Sequence, residues 1–292
     1  MRVAVIDVGS NTVRLLVAEA SQTGLTALRQ RRERIGLGAD VEASGRISAA
    51  KLKEAAACAG AFAAEARALG CARVEVIATS PGRQAENAGR LVRALAAAAK
   101  APVQILSPED EAELAYDGAL AWAGRRAGSV AVCDVGGGST QVAVGTSQGA
   151  VWIRSVDIGS LRLTARLLEG DPPGKKAIAA AQADLRKEFD GFSPPLPQSA
   201  LAVGGSARAL TKLVGRTLGD EELSFAVRTL RKQPASEVAK AFGIDRCRVR
   251  TLTAGVLILA EVQQRLAVPL EVAGGGLREG CALSLLAEAT AA

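Results

Sequence analysis

The first apolar run, Arg2-Val3-Ala4-Val5-Ile6, has the β-type composition of a short strand. It is cut by Asp7-Val8-Gly9-Ser10-Asn11-Thr12, and residues 13–18 read as a second strand. The same pattern returns as Ser129-Val130-Ala131-Val132-Cys133, then Asp134-Val135-Gly136-Gly137-Gly138-Ser139-Thr140, then residues 141–144. The two segments align without a gap at an offset of 127 residues, the distance from Asp7 to Asp134. Gly9 then matches Gly136, Thr12 matches Ser139 and Val17 matches Val144.

Elsewhere the pattern predicts helices with strands between them. Ser48 caps an alanine-rich helix over 49–69 that Gly70 closes, and 73–79 reads as a buried strand. Ser80-Pro81-Gly82-Arg83 turns into a helix ending near Lys100, and 103–106 is a strand before the next helix. Segments 161–168, 175–189 and 207–214 read as helices, with a proline-rich break at 193–197. Leu201-Ala202-Val203-Gly204-Gly205-Ser206 is a strand running into a glycine turn. Residues 252–266 form an apolar helix, 270–273 a strand, and Gly274-Gly275-Gly276 opens a last helix over 277–289. Strands alternate with helices in both halves, which predicts an α/β protein. The expected boundary is the 124–128 stretch, giving an N-terminal lobe of 1–125 and a C-terminal lobe of 126–292.

Composition narrows the chemistry. The chain has no His, so a Ser-His-Asp or Cys-His nucleophile pair cannot be built. Acid–base work falls to carboxylates, Lys, Cys or the single Tyr. A net charge of +6 is small for a nucleic-acid binder, and 3% aromatic residues leave few stacking platforms, so nucleic acid is not expected as a partner. Five Cys without a CxxC pair read as reduced core residues. No apolar stretch reaches the roughly 20 residues of a membrane span, so no membrane partner is expected, and the expected location is the cytoplasm.

The Asp–Gly turn has a specific physics. Small residues let backbone N–H groups converge on one anion-binding concavity, to which Ser10, Thr12, Ser139 and Thr140 add hydroxyl donors. An Asp at the strand end, Asp7 or Asp134, can hold Mg²⁺ through water. One such turn could be an ordinary hairpin; two in register make a duplicated phosphate clamp. Ser107-Pro108-Glu109-Asp110-Glu111 is a helix start, with Ser107 as N-cap, Pro108 at the first position and Asp110 completing a capping box. Glu111 shares its face with Leu114, Ala115 and Gly118, where a carboxylate is costly without partners or a cleft. Its placement therefore calls for a function.

Two similar lobes, each with an Asp–Gly hairpin, resemble the actin/Hsp70/sugar-kinase superfamily, and imply two actin-like (ribonuclease H-like) lobes flanking a ligand cleft, with the C-terminal helix packing back on lobe 1. Asp7-Val8-Gly9-Ser10-Asn11-Thr12-Val13-Arg14, Ala78-Thr79-Ser80-Pro81-Gly82-Arg83, 134–140 and Gly275-Gly276-Leu277-Arg278-Glu279-Gly280 look like the Ppx/GppA family of exopolyphosphatases and guanosine pentaphosphate phosphohydrolases. The resemblance implies that Glu111 orients the attacking water and that Arg83 pairs with a phosphoryl group. It places phosphate oxygens on Gly9, Ser10 and Asn11, on Gly136, Gly137, Gly138 and Ser139, and on Gly204, Gly205 and Ser206. Mg²⁺ or another divalent cation would be held by Asp134, Asp7 and the Gln141 position. The sequence departs from the family in two places: Gln141 stands where an acid is usual, and Gly274 where a polar or acidic residue is common. Inorganic polyphosphate is the expected substrate, with guanosine pentaphosphate as the alternative, a non-catalytic polyphosphate or nucleotide sensor as a third reading, and a homodimer as the expected assembly. Basic clusters at 29–34, 175–176, 186–187, 228–232 and 246–250 suit a long polyanion if they share a face; taken singly, each reads as solvated helix surface.

Overall fold

The computed structural model of the chain describes residues 1–21, 24–124 and 126–291. It divides into two compact units, Met1–Ala121 with Gly275–Ala292, and Trp122–Gly274. Arg125, inside the boundary expected from sequence, lies outside the described residues.

In the first unit, β1 (Arg2–Val8), β2 (Thr12–Ser21) and β3 (Gly24–Arg34) form an antiparallel meander, followed by α1 (Leu37–Ser44) and α2 (Ala49–Ala68). Next come β4 (Arg73–Ala78), α3 (Ser80–Gln84), α4 (Ala88–Ala99), β5 (Val103–Ile105) and α5 (Pro108–Ala123). The sheet order is β3-β2-β1-β4-β5, with β4 and β5 joining in parallel. In the second unit, β6 (Val130–Val135), β7 (Thr140–Thr146) and β8 (Gly149–Val156) repeat the meander, and α6 (Ser160–Leu167), α7 (Lys175–Glu188), β9 (Ser199–Val203) and α8 (Gly204–Val214) follow. Then come β10 (Thr217–Leu218), α9 (Asp220–Lys232), α10 (Ala235–Phe242), α11 (Arg246–Leu266) and β11 (Leu270–Val272), and the last helix, α12 (Leu277–Ala291). The second sheet runs β10-β11-β9-β6-β7-β8. Apart from β10 at its edge, it is the first order repeated, with β6, β7, β8, β9 and β11 in the places of β1, β2, β3, β4 and β5. The two lobes are therefore one topology used twice.

Alternation explains both faces of the first sheet. Val13, Leu15 and Val17 of β2 join Ala4, Ile6 and Val8 of β1 in a core with Ala59, Phe62, Ala63 and Ala66 of α2. The opposite set, Val3, Val5, Leu16 and Ala18, is covered by Leu277, Cys281, Ala282, Leu285 and Leu286 of α12. The C-terminal helix thus belongs to the first unit because it supplies the second apolar cover of that sheet. α5 and α12 approach through glycine: a Cβ on Gly118 would stand 2.1 Å from the Gly276 carbonyl oxygen, and one on Gly280 1.9 Å from that of Leu114. In the second unit α11 is buried along most of its length and packs with α6, α7, α8, α9 and α10 around the β6–β9 face.

Some elements differ from the sequence reading. The 29–34 cluster is the end of the edge strand β3, not helix surface, and β8, α1, α9 and α10 were not expected. α11 begins at Arg246 rather than at Leu252, because Asp245 caps it by accepting from the Arg248 N–H. Among the described residues, no helix is long and apolar enough to cross a membrane.

Candidate active site

The two Asp–Gly turns close in the same way. The Gly9 N–H donates to the Thr12 carbonyl at 3.0 Å, and the Gly136 N–H donates to the Ser139 carbonyl at 3.0 Å. Each turn is also held from behind. In the first unit, the N–H groups of Ile35 and Gly36 donate to the Asn11 carbonyl, and that of Gly38 to Ser10 at 2.7 Å. A Cβ on Gly38 would stand 2.7 Å from the Ser10 Cβ, so only glycine lets the segment come this close. In the second unit, the Ser160 N–H donates to the Gly136 carbonyl and those of Leu161 and Arg162 to Gly137, while a Cβ on Gly159 would lie 2.4 Å from the Gly137 carbonyl carbon. With their carbonyls engaged, the N–H groups of Ser10, Asn11, Gly137 and Gly138 have no backbone partner among the described residues. That is the donor arrangement of an anion nest.

The hydroxyls divide between lining and support. Ser10, Thr12 and Ser139 are buried in their turns. The Thr140 hydroxyl, expected from sequence as a phosphate donor, instead donates to the Ile158 carbonyl at 2.6 Å and braces β7. Ser206 is fully buried, its Oγ 2.5 Å from where a Gly255 Cβ would be, so its side chain faces α11. Gly204 is required twice over: its φ is +91°, and a Cβ there would stand 2.6 Å from Asp134 Oδ1. Asp134, the Gly136–Ser139 turn and the start of α8 are therefore one locus of the second unit.

Arg248 belongs to the same locus; the sequence presents it only as part of the 246–250 basic cluster. A Cβ on Gly205 would stand 2.7 Å from an Arg248 guanidinium nitrogen. The readable signal was Asp245, an N-cap that puts Arg248 in the first turn of α11, combined with a glycine pair at 204–205 that leaves room for a guanidinium.

In the first unit the structure joins Glu111 and Arg83. Arg83 Nη1 donates to Glu111 Oε2 at 2.8 Å and to the Leu106 carbonyl at 2.9 Å, with side-chain exposures of only 15% and 10% for the two partners. The capping box at Ser107 holds the start of α5. The Asp110 N–H donates to Ser107 Oγ at 3.0 Å, and that hydroxyl donates back to the Asp110 carboxylate at 2.7 Å. Glu111 is buried beside Ala115 and Gly118, whereas Glu113 and Asp117 are exposed. Arg83 is set by the tight 79–83 turn, in which the Gly82 and Arg83 N–H groups both donate to Thr79, whose own N–H reaches the Val8 carbonyl. Thr79 Oγ1 in turn lies 3.8 Å from the Cβ position of Gly9, tying this pair to the Asp7 turn.

Asp7 pairs across β1 and β2 with Arg14. Burial pushes its carboxyl above the usual carboxylate range, Arg14 and Arg278 pull it down, and Glu279 adds to the rise. Gln141, opposite Asp134 on β7, gives its amide to the Ser139 hydroxyl at 2.9 Å and to that of Ser155 at 3.0 Å. Among the described residues no three His, Cys, Asp or Glu side chains gather to cage a metal. Asp134 alone is nonetheless a donor that suits Mg²⁺, which keeps several waters and binds through one or two carboxylates plus substrate phosphates. The second departure, Gly274, is accounted for by Trp122: a Cβ at 274 would stand 2.4 Å from the indole nitrogen.

Comparison with known proteins bears on the fold and the family. The model of the Ppx/GppA phosphatase family matches residues 16–289. Exopolyphosphatase 1 of Mycobacterium tuberculosis is 30% identical over 98% of this chain and 88% of its own length. The crystal structure of the Aquifex aeolicus Ppx/GppA family member superposes with a TM-score of 0.85 at 26% identity, covering 99% of this chain and 98% of that one. The fold is shared as well with an exopolyphosphatase from Cytophaga hutchinsonii, at a TM-score of 0.86 and 19% identity over 99% and 98% of the two chains.

Proposed function

The chain belongs to the Ppx/GppA phosphatase family and is a phosphoanhydride hydrolase; from that premise we propose that it is an exopolyphosphatase, removing the terminal phosphate of inorganic polyphosphate by attack of a water that Glu111 orients. The observation that carries this reading is the buried Arg83–Glu111 pair at 2.8 Å. A carboxylate placed on the apolar side of α5 needs a guanidinium to be tolerated there, and a helix of this kind would ordinarily carry an apolar residue. In this reading the pair serves the chemistry rather than the fold.

Phosphoryl transfer asks for positioning and neutralisation of charge more than for covalent help. In this reading the turns at Gly9–Asn11 and Gly136–Ser139 hold phosphoryl oxygens with pre-aimed N–H groups. They lose little on binding because the segments behind them already fix their carbonyls. Arg83 is first a positioning residue, since its Nη1 fixes the carboxylate that must face the water. Glu111 takes the proton of that water as its oxygen bonds the terminal phosphorus and the P–O bond to the next phosphate breaks, releasing orthophosphate and a chain one phosphate shorter. Gly204, Gly205 and the Arg248 guanidinium add a further anion locus beside Asp134.

We assign the divalent cation, Mg²⁺ or another, to Asp134, whose carboxylate stands at the strand end beside Gly204 and the Gly136–Ser139 turn. When bound there, the cation would neutralise charge on phosphoryl oxygens. Gln141 acts by fixing the Ser139 hydroxyl instead of by contributing charge. The test is Glu111→Gln, which preserves shape and hydrogen bonding to Arg83 but not basicity. Phosphate release from long-chain polyphosphate is expected to fall by about 10²- to 10⁴-fold with folding intact by circular dichroism. Retention of most of the activity sinks the assignment.

A further inference from the structure

Four arginines lie within the last six residues of β3, and register sorts them onto two faces. Arg29 and Arg31 point to the α2 side, where both bond Glu65, at 2.6 Å and 3.3 Å. Arg32 and Arg34 point to the other side, which is the side of Asp7. The pairing gives one row across three strands, Asp7 opposite Arg14 and Arg14 opposite Arg32, and a neighbouring row with Thr12 opposite Arg34. Arg14 is joined to the turn itself, its Nε donating to Thr12 Oγ1 at 3.1 Å.

Like charges directly opposite each other on one sheet face are destabilising. On the α2 face the chain relieves the Arg29 and Arg31 charges with Glu65. On the Asp7 face Arg32 is exposed and makes no hydrogen bond or ion pair with the described residues. The positive row begins at the Asp–Gly turn and ends at an open strand edge about 10 Å away, two strand spacings across the sheet. Arg14, half-buried and bonded to the turn, and Arg32, exposed at the strand edge, together suit an anion longer than the nest itself.

We infer that Arg14 and Arg32 form a track along which a polyphosphate chain lies beyond the groups held by the Gly9–Asn11 turn, so that Arg32 is a chain-length determinant. This rests on the exopolyphosphatase reading for the identity of the polyanion, and on the register alone for the route. A short oligophosphate that fills the turn does not reach Arg32; a long chain does.

The experiment compares wild type with Arg32→Ala, Arg32→Glu and Arg31→Ala on long-chain polyphosphate and on tripolyphosphate. Arg31→Ala removes the same charge one residue away on the opposite face. Arg32→Ala is expected to lower kcat/KM on the long chain by about threefold and Arg32→Glu by about tenfold, with tripolyphosphate unchanged and Arg31→Ala without effect on either. Equal losses for Arg31→Ala and Arg32→Ala, or equal losses on both substrates, overturn the track. A parallel arm measures binding of fluorescent long-chain polyphosphate and of single-stranded DNA. If wild type releases no phosphate, the hydrolase reading falls, while a selective loss of polyphosphate binding in Arg32→Glu still supports the route. Equal weakening of DNA and polyphosphate binding marks a generic polyanion surface and contradicts it.

Discussion

A methyl group at residue 274 would lie 2.4–2.8 Å from three atoms of the Trp122 indole, and the Arg216 guanidinium stacks on that ring at 5.5 Å. Trp122 is half exposed and can yield in part, so Gly274→Ala is expected to cost about 1 kcal/mol, the lower end for overpacking. A double-mutant cycle in urea checks the cause: in a Trp122→Ala background the Gly274→Ala cost should vanish. Residue identity is informative here only through its neighbour, and no periodicity in the sequence pairs 122 with 274. Glu111 is the opposite case. Its exceptional position was legible, because a carboxylate stood on an otherwise apolar helical stripe, and the structure adds the Arg83 contact that makes it tolerable. Ser206 and Thr140 show the limit of counting hydroxyls: both stand beside glycine turns in the sequence, yet both side chains are directed into the protein.

At the scale of elements, the corner between α1 and α2 supports the first Asp–Gly turn from one layer behind. Asp40 of α1 accepts from the Ser48 N–H at 2.9 Å and from Lys51 Nζ at 2.6 Å, and Lys51 also donates to the Gly36 carbonyl at 2.7 Å. Gly36 in turn donates to Asn11. Burial works to raise the Asp40 carboxyl, but the Lys51 and Ser48 hydrogen bonds outweigh it and bring its pKa down to about 2. A lowered carboxyl contributes stability that is complete above its unfolded pKa of about 4 and is lost as pH falls through the folded value. Asp40→Asn should therefore cost about 1 kcal/mol near neutrality, allowing for solvent screening of this partly exposed pair, and roughly half of that at about pH 3. Urea unfolding at the two pH values checks it; a pH-independent difference means that packing rather than charge is at stake. Elements with strong caps, such as α2 and α5, were readable from Ser48 and Ser107. β3 was not, because an edge strand with its residues in solvent has lost the alternation that marks a half-buried strand.

For the whole molecule, the fold is one α/β topology repeated, and the repeat was legible because both copies keep the Asp–x–Gly turn and its closing hydrogen bond. What differs between the copies is chemistry. The first unit carries the Arg83–Glu111 pair and the Arg14–Arg32 row, and the second carries Asp134 with the Gly204–Gly205 locus and Arg248. Without a His in the chain, no imidazole shapes the pH–rate profile, and in the proposed mechanism proton transfer rests on the carboxylate of Glu111. The most direct test is phosphate release by wild type and Glu111→Gln, with Mg²⁺, from long-chain polyphosphate, tripolyphosphate and guanosine pentaphosphate. Wild type is expected to act fastest on the long chain, and Glu111→Gln to lose about 10²-fold or more on whichever substrate is turned over. Tight polyphosphate binding by wild type with no release from any of the three substrates would contradict this expectation and leave a sensor.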